Sequence, residues 1–445
     1  MRFLGVTETC DLGSLYMRLI ADGHEVRVFV EEPLAEGTLA GLVPRTSDWR
    51  AELGWIREAG GEGIILFEAV SEGYGALQDD LRRDGYQVIG GSAYGDRLEN
   101  DRSFAQRLLG ELGLPVAAVH AFSDAASGDA FLAANPGRYV LKFSGPDFAS
   151  HDNVIGRLPD GRDVRAALAG RFRARGGADA DYILMEFLEG IEMGVGAYFD
   201  GKRFLTPACL DWEHKRFFTG DMGELTGEMG TIATFDRSGL FFDRTLAKME
   251  PLLREHGHVG YVNLNTIVNE SGIWPLEFTC RFGYPGFSIL EPLQLTRWAD
   301  LFAMMAGRKP PVFEARPGFS AGIVLTTPPL PYSRKQIDEP VGLPVLFPED
   351  FDSEDRDNLH YGEVGLTDGQ LVTAGLYGWT MVVTGTGPTI EAARQAAYYR
   401  AGRIHVPNMR YRLDIGESLI AGDYAAVAGL GLLSDERSAA ALADK

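Results

Sequence analysis

The chain has 445 residues, 45% of them hydrophobic and 24% charged, and a formal net charge of −21. That length predicts two to four compact units, each with a sizeable core. The acidity argues against nucleic-acid backbones and anionic lipid as partners and otherwise serves solubility, leaving room for a local basic pocket that takes a small phosphate.

The opening MRFLGVTETCDLG carries no long apolar run, and no stretch approaches about eighteen apolar residues, so neither a signal peptide nor a membrane span is expected. Cys10, Cys209 and Cys280 form no CxxC pair and fit a reducing cytoplasm; the histidines form no zinc spacing. Residues 2–6 predict an apolar strand. Residues 12–22 predict a helix, with Leu12, Leu15, Leu19 and Ile20 on one side and Gly23 as its stop. Strands at 25–30 and 63–67, a helix at 76–83 and a strand at 86–89 continue the rhythm. This βαβ pattern predicts a parallel sheet covered by helices, with ligands at the carboxyl ends of its strands. The loop 7–13 lies at such an end, where its amides suit an anion; a plain turn is the alternative.

Residues 101–112 predict a helix ended by Gly113 and Pro115. Strands follow at 139–143, 182–187 and 194–199, with helices near 164–175 and 241–256. Residues 262–268 and 273–278 read as a hairpin around Asn269-Glu270-Ser271-Gly272. A helix at 290–305 and the link Lys309-Pro310-Pro311 precede a last unit with strands at 320–326 and 380–385 and a helix near 390–403. The tail 434–445 is Ala-rich and charged and is expected to fray.

Chemistry concentrates in two places. Residues 211–230, DWEHKRFFTGDMGELTGEMG, read as a mobile glycine-bearing loop that begins with His214-Lys215-Arg216. Downstream, Leu276-Glu277-Phe278-Thr279-Cys280-Arg281-Phe282-Gly283 is an apolar strand carrying one carboxylate and one guanidinium. Such a pair facing such a loop suits chemistry on a metal-bound phosphate. Lys142, alone on Tyr139-Val140-Leu141-Lys142-Phe143, needs an anion, either a structural carboxylate or a phosphate. The strand ending in Glu186-Phe187-Leu188 turns at Gly190 and presents Glu192. That segment is either a nucleoside cradle or an ordinary strand and turn.

Together these segments resemble glycinamide ribonucleotide synthetase, a family of ATP-grasp ligases, over nearly the whole chain. The strongest patches are His214-Lys215-Arg216 with Asp221, Gly223, Thr226, Gly227, Met229 and Gly230, and Cys280-Arg281-Phe282-Gly283. The resemblance implies an α/β (α+β) ATP-grasp fold. Its parts would be a Rossmann-like domain over 1–100, an ATP-grasp domain over 101–312, a β-rich domain over 313–430 and a tail over 431–445. The ATP-grasp domain would divide into a small lobe at about 117–190 and a large lobe at about 191–312. The resemblance also implies roles. Glu186, Phe187 and Leu188 would hold adenine, and Glu192 the ribose. Lys142 and Arg102 would hold the polyphosphate, with Arg102 standing where the family has lysine, and Lys215 would join the nucleotide site. Glu277 would bind Mg²⁺ or Mn²⁺. Thr279 replaces the family's Asn as second ligand, and Asn265 on the preceding strand is expected to restore an oxygen. Arg281 and Lys142 would be catalytic, with Arg281 meeting the carboxylate or acyl phosphate. Asp221, Thr226, Gly227 and Glu68 are expected near the substrates.

Departures cluster at the substrate ends. The family's Gly-Asn-Gly-Gly-Arg-Glu-His loop is here Gly5-Val6-Thr7-Glu8-Thr9-Cys10-Asp11, whose acids would repel a phosphate. The family's lid lysine is missing from 144–153, so closure over ATP would use other groups such as His151. Family acids near the amino-acid site are replaced by Tyr284 and Gly286. The expectation is an ADP-forming, ATP-dependent carboxylate–amine ligase with altered small-molecule substrates, acting in the cytoplasm as a monomer or homodimer. Three alternatives stand beside it. One is a true phosphoribosylamine–glycine ligase, and another is a non-catalytic nucleotide-binding relative. The third, a dehydrogenase, lacks its glycine fingerprint.

Overall fold

The computed structural model describes residues 1–68, 73–143 and 152–434. Residues 144–151 of the lid expected at 144–153, with His151, the residues 69–72, and the tail beyond Ser434 lie outside the described residues.

The first sheet is parallel, in the order Glu25–Val30, Arg2–Thr7, Gly63–Phe67, Gln87–Ile89. Gly63–Phe67 is buried at every position, which explains its unbroken apolar run. Gly13–Ala21 buries Leu15, Tyr16 and Leu19, as its spacing predicts. The helix expected at 101–112 runs Arg102–Glu111, and the Asp101 carboxylate caps it by accepting from the Phe104 amide at 2.9 Å.

A second, antiparallel sheet has the order Val119–Phe122, Tyr182–Glu186, Tyr139–Phe143, Val154–Ile155. It closes over its own core of Leu132, Leu141, Leu168, Phe172 and Leu184. The third sheet has eight antiparallel strands: Gly272–Thr279, Gly260–Asn269, Ile191–Phe199, Phe204–Glu213, Gly230–Thr234, Phe319–Thr326, Trp379–Gly387 and Leu359–Tyr361. The link at 309–311 does not interrupt it, because Gly230–Thr234 pairs directly with Phe319–Thr326. The hairpin around 269–272 forms as its turn residues predict.

Three expectations change. Residues 211–230 are not one loop. They finish Phe204–Glu213, form a small hairpin of Arg216–Phe218 and Met222–Leu225, and enter Gly230–Thr234. The hairpin turns through Asp221 and Gly223 at φ 52° and 80°, the left-handed region that Gly takes freely. The helix expected at 241–256 divides into Gly239–Arg244 and Glu250–Glu255, because Pro251 starts a new helix and cannot continue an old one. The helix expected at 290–305 forms only over Trp298–Met305; Gly286–Leu290 and a short turn, Glu291–Leu293, which Pro292 opens, precede it. All three cysteines are buried and free. Among the described residues no helix is long and apolar enough to cross a membrane.

Candidate active site

Strand alternation and register gather polar residues on one face of the eight-stranded sheet. Asn265 lies opposite Glu277 on one side and Gly194 on the other. Asp211 also faces Gly194, and Glu213 faces Thr231. Neighbours in register share a face, so Glu277, Thr279, Asn263, Asn265, Glu192, Asp211 and Glu213 project together. Two cavities open there. One is a cleft of about 1070 Å³ between this sheet and the second sheet. The other is a chamber of about 180 Å³. Glu213, Lys215, Gly227, Glu277, Thr279 and Arg281 line both.

The cleft has an apolar end and a charged end. Val140, Ile155 and Met185 from the second sheet face Ile267 and Leu276 from the third, a slot suited to a flat apolar ring. Glu186, Phe187 and Leu188 line that slot. The Phe187 amide donates to the Arg138 carbonyl at 3.0 Å, so the hinge offers other backbone groups to a ligand. The Arg138 guanidinium lies 3.6 Å from the Phe187 ring centroid and pairs with Glu189 at 2.8 Å.

At the charged end three cations converge on Glu277. Arg102 Nη1 is 3.0 Å and Lys142 Nζ 3.9 Å from Oε2, and Lys215 Nζ is 3.1 Å from Oε1. Lys215 also touches Glu192 at 2.9 Å and Glu213 at 3.2 Å. Lys215 holds the Glu277 carboxyl well below its usual range against the cost of burial, with Lys142 and Arg102 adding to the effect. Burial opposes the Lys215 charge, but Glu192, Glu277 and Glu213 outweigh it and raise its pKa. Burial lowers Lys142 to about 8, with Glu277 opposing.

A divalent ion suits this end. Among the described residues no group of three or more His, Cys, Asp or Glu side chains forms a metal cage. Glu277 and Glu213, with the Thr279 hydroxyl lining the same cavities, are a sparse hard-oxygen set. Mg²⁺ takes such a set, keeping its other positions for phosphate and water. Asn265, expected as a ligand, is hydrogen-bonded through both ends of its amide. A register shift between Asn265 and Thr266 lets its Oδ1 accept from the Thr266 amide at 2.9 Å. Its Nδ2 donates to Glu192 at 2.8 Å, so it orients a carboxylate of the cleft.

Arg281 borders both cavities and is held by Glu99, with Nη2 at 3.0 Å and Nε at 3.2 Å from Oε1. The other Glu99 oxygen accepts from the Cys280 amide at 3.0 Å. This grip fixes the guanidinium before any ligand arrives. Thr226 donates its hydroxyl to the Lys215 carbonyl at 2.8 Å and so shapes the backbone beside the cleft. Asp221 lines the cleft but is 72% exposed and pairs with Arg412 at 2.9 Å, anchoring the hairpin to the C-terminal part of the chain. Glu192 lines the cleft with its Oε1 engaged by Lys215 and Asn265, which leaves Oε2 to face a ligand.

Glu68, expected near the substrates, lines neither cavity. It is buried and accepts from the Leu12 amide at 2.8 Å, the Thr7 hydroxyl at 3.1 Å and the Tyr16 hydroxyl at 2.5 Å. The anion expected from ligand at the loop 7–13 is thus supplied by the protein. Burial raises this carboxyl to about 7, with Asp11 adding to the rise. Reasoning from the sequence missed Glu99, Asp211, Glu213 and Asn263. The available signal was the spacing Cys209, Asp211, Glu213, three polar side chains on one face of a strand.

Residues 100–287 match the family model of the phosphoribosylglycinamide synthetase ATP-grasp (A) domain. The chain is 28% identical to the phosphoribosylamine–glycine ligase of Nostoc sp. over 353 residues, covering 76% of this chain and 80% of that protein. It is 29% identical to that of Caulobacter vibrioides, with coverage of 76% and 80%. The crystal structure of the Thermotoga maritima phosphoribosylamine–glycine ligase superposes with a TM-score of 0.68 at 22% identity, covering 93% of this chain and all of that one. The biotin carboxylase domain of Hydrogenobacter thermophilus 2-oxoglutarate carboxylase, solved with MgADP and bicarbonate, gives 0.60 at 12% identity, with coverage of 92% and 91%.

Proposed function

We propose, on the premise that this chain is an ATP-grasp carboxylate–amine ligase resembling the phosphoribosylamine–glycine ligases, that it joins substrates other than phosphoribosylamine and glycine. The observation that carries this reading is the loop 7–13. The Glu68 carboxyl occupies the Leu12 amide, and Glu8 and Asp11 stand on the loop itself. An incoming phosphate would meet acids and a spent amide where the family has a Gly-rich cradle. Asp11 belongs to the same neighbourhood as the catalytic groups: burial raises its pKa, and the Thr9 hydroxyl and the Arg281 charge oppose that rise.

The reaction starts with the substrate carboxylate attacking the γ-phosphorus of ATP. The bond to the β,γ-bridging oxygen breaks, and ADP leaves. Lys142, Arg102 and Lys215 hold the polyphosphate, and Glu277 with Glu213 would hold Mg²⁺, which neutralises phosphate charge when bound. Arg281, prefixed by Glu99, stabilises the acyl phosphate and the charge that builds on its oxygens. The amine nitrogen then attacks the acyl carbon, the C–O bond to phosphate breaks, and one proton passes to a carboxylate or solvent. Amide, ADP and phosphate result.

The test is ADP release by the full chain with MgATP and panels of carboxylates and amines. A pair that stimulates release supports the ligase. MgATP binding without stimulation by any pair would overturn it. The relatives' names favour a second reading, phosphoribosylamine–glycine ligase, and turnover of those two compounds would establish it.

A further inference from the structure

We infer that the chamber beside Arg281 holds an ammonium group at the far end of a short aliphatic substrate, and that Asp211 selects it. This rests on the ligase reading.

Asp211 is 7% exposed and Glu228 is 6% exposed, and both line the chamber. Asp211 Oδ2 accepts from Asn263 Nδ2 at 2.7 Å, whereas Oδ1 has no hydrogen-bond partner among the described residues. Glu228 accepts from the Thr231 hydroxyl. The two cations at the chamber are committed elsewhere: Arg281 to Glu99, and Lys215 to Glu192, Glu213 and Glu277. Two buried carboxyls therefore line a cavity with no dedicated counter-ion among the described residues. A buried carboxylate without a counter-ion carries a desolvation cost that a cationic ligand would offset.

The floor is cleared for this arrangement. A Cβ on Gly194 would lie 2.1 Å from Asp211 Oδ1, and one on Gly196 would lie 1.9 Å from the Tyr261 hydroxyl. Glycine at both positions lets the acid and the phenol lie against the sheet. Ile289, Leu290 and Ala233 supply apolar wall. An apolar flank leading to an acidic end suits methylenes that end in an ammonium. A cavity of about 150 Å³ accommodates benzene, so this one takes a chain of about six to ten heavy atoms. With a carboxylate at the mouth the ligand is an ω-amino acid; with an amine there, it is a diamine.

Binding is measured by calorimetry on the full chain loaded with Mg²⁺ and a non-hydrolysable ATP analogue. The probes are 4-aminobutyrate and 1,4-diaminobutane, compared with butyrate and butylamine. At least tenfold tighter binding of one ammonium-bearing probe over its partner is expected, and the probe that binds identifies the reacting group. Asp211→Asn should erase that preference and leave analogue affinity unchanged. Gly194→Ala, which keeps the charge but displaces Oδ1, should do the same. If Asp211→Asn fails to bind the analogue, Glu228→Gln replaces it with the same expected loss. Equal binding of each pair by the unaltered protein, or a preference that survives the substitutions, overturns the inference. ADP release with other pairs would leave the ligase standing in that case.

Discussion

The cleft and the chamber share one sheet face and six lining residues, yet their charges are arranged in opposite ways. In the cleft a single carboxylate, Glu277, is shared by three cations and kept ionised. In the chamber Asp211 and Glu228 face one another's neighbourhood without a cation of their own, and burial pushes both toward the neutral form. Lys215 and Arg281 mark the boundary. On the proposed reading, the cations gather where the polyphosphate would lie and the unpaired acids where the second substrate end would lie. The difference teaches that one sheet face can hold a carboxylate ionised by surrounding it with cations and leave others nearby to wait for a counter-ion.

The strongest way to break this comparison is Glu277→Gln. Three cations would lose their shared anion and Mg²⁺ its main ligand. ADP formation should fall about 1000-fold in initial-rate assays. Retained activity within tenfold would remove Glu277 from the centre of the account.

Glu68→Gln probes the substrate side through stability. The Glu68 carboxyl has a raised pKa in the fold, so the folded state binds its proton more tightly than the unfolded chain. Its contribution is complete below the ordinary value of 4.5 and is lost as pH rises to about 7. Over that window the variant should gain about 3 kcal/mol relative to the unaltered protein, read by denaturant unfolding at stepped pH. A difference that is flat with pH would mean the carboxyl is not held as described.

Arg281→Ala sharpens the boundary between the two cavities. The rate with saturating substrates should fall about 100-fold while MgATP affinity changes less than about threefold. An equal loss in nucleotide affinity would move Arg281 into the nucleotide half. The smallest effect is expected from Asp221→Ala. Arg412 is buried but keeps Asp414 at 2.7 Å and the Arg216 carbonyl at 3.0 Å, and the lost carboxylate is itself exposed, so stability should change by no more than about 1 kcal/mol in thermal unfolding.

Much of this fold was legible in the order of residues. The βαβ rhythm before residue 90 and the hairpin at 269–272 depend on local spacing and turn chemistry, and both formed. Glu277 and Arg281 stood out because they are the two charges in an otherwise apolar segment, and the strand ends at Thr279, just before Arg281. Lys215 as a hub was not legible: its partners Glu192, Glu213 and Glu277 come from three strands that meet only in the folded sheet. The hydrogen bonds of Asn265 were not legible, because a local register shift turns its oxygen onto the next amide. Glu68 misled because a carboxylate at a strand's carboxyl end serves an internal loop as readily as a ligand. The glycine-bearing segment at 211–230 read as one loop because its strands are short and broken by Gly220, Gly223 and Gly227.

The most direct test of the central claim is MgATP-dependent ADP formation by the full chain with phosphoribosylamine and glycine, measured beside the carboxylate–amine panels. The account predicts no stimulation by that pair and clear stimulation by a pair containing a second ammonium group. Turnover of phosphoribosylamine and glycine with kcat/KM at or above about 10⁴ M⁻¹s⁻¹, in the range of ordinary enzymes, would contradict it.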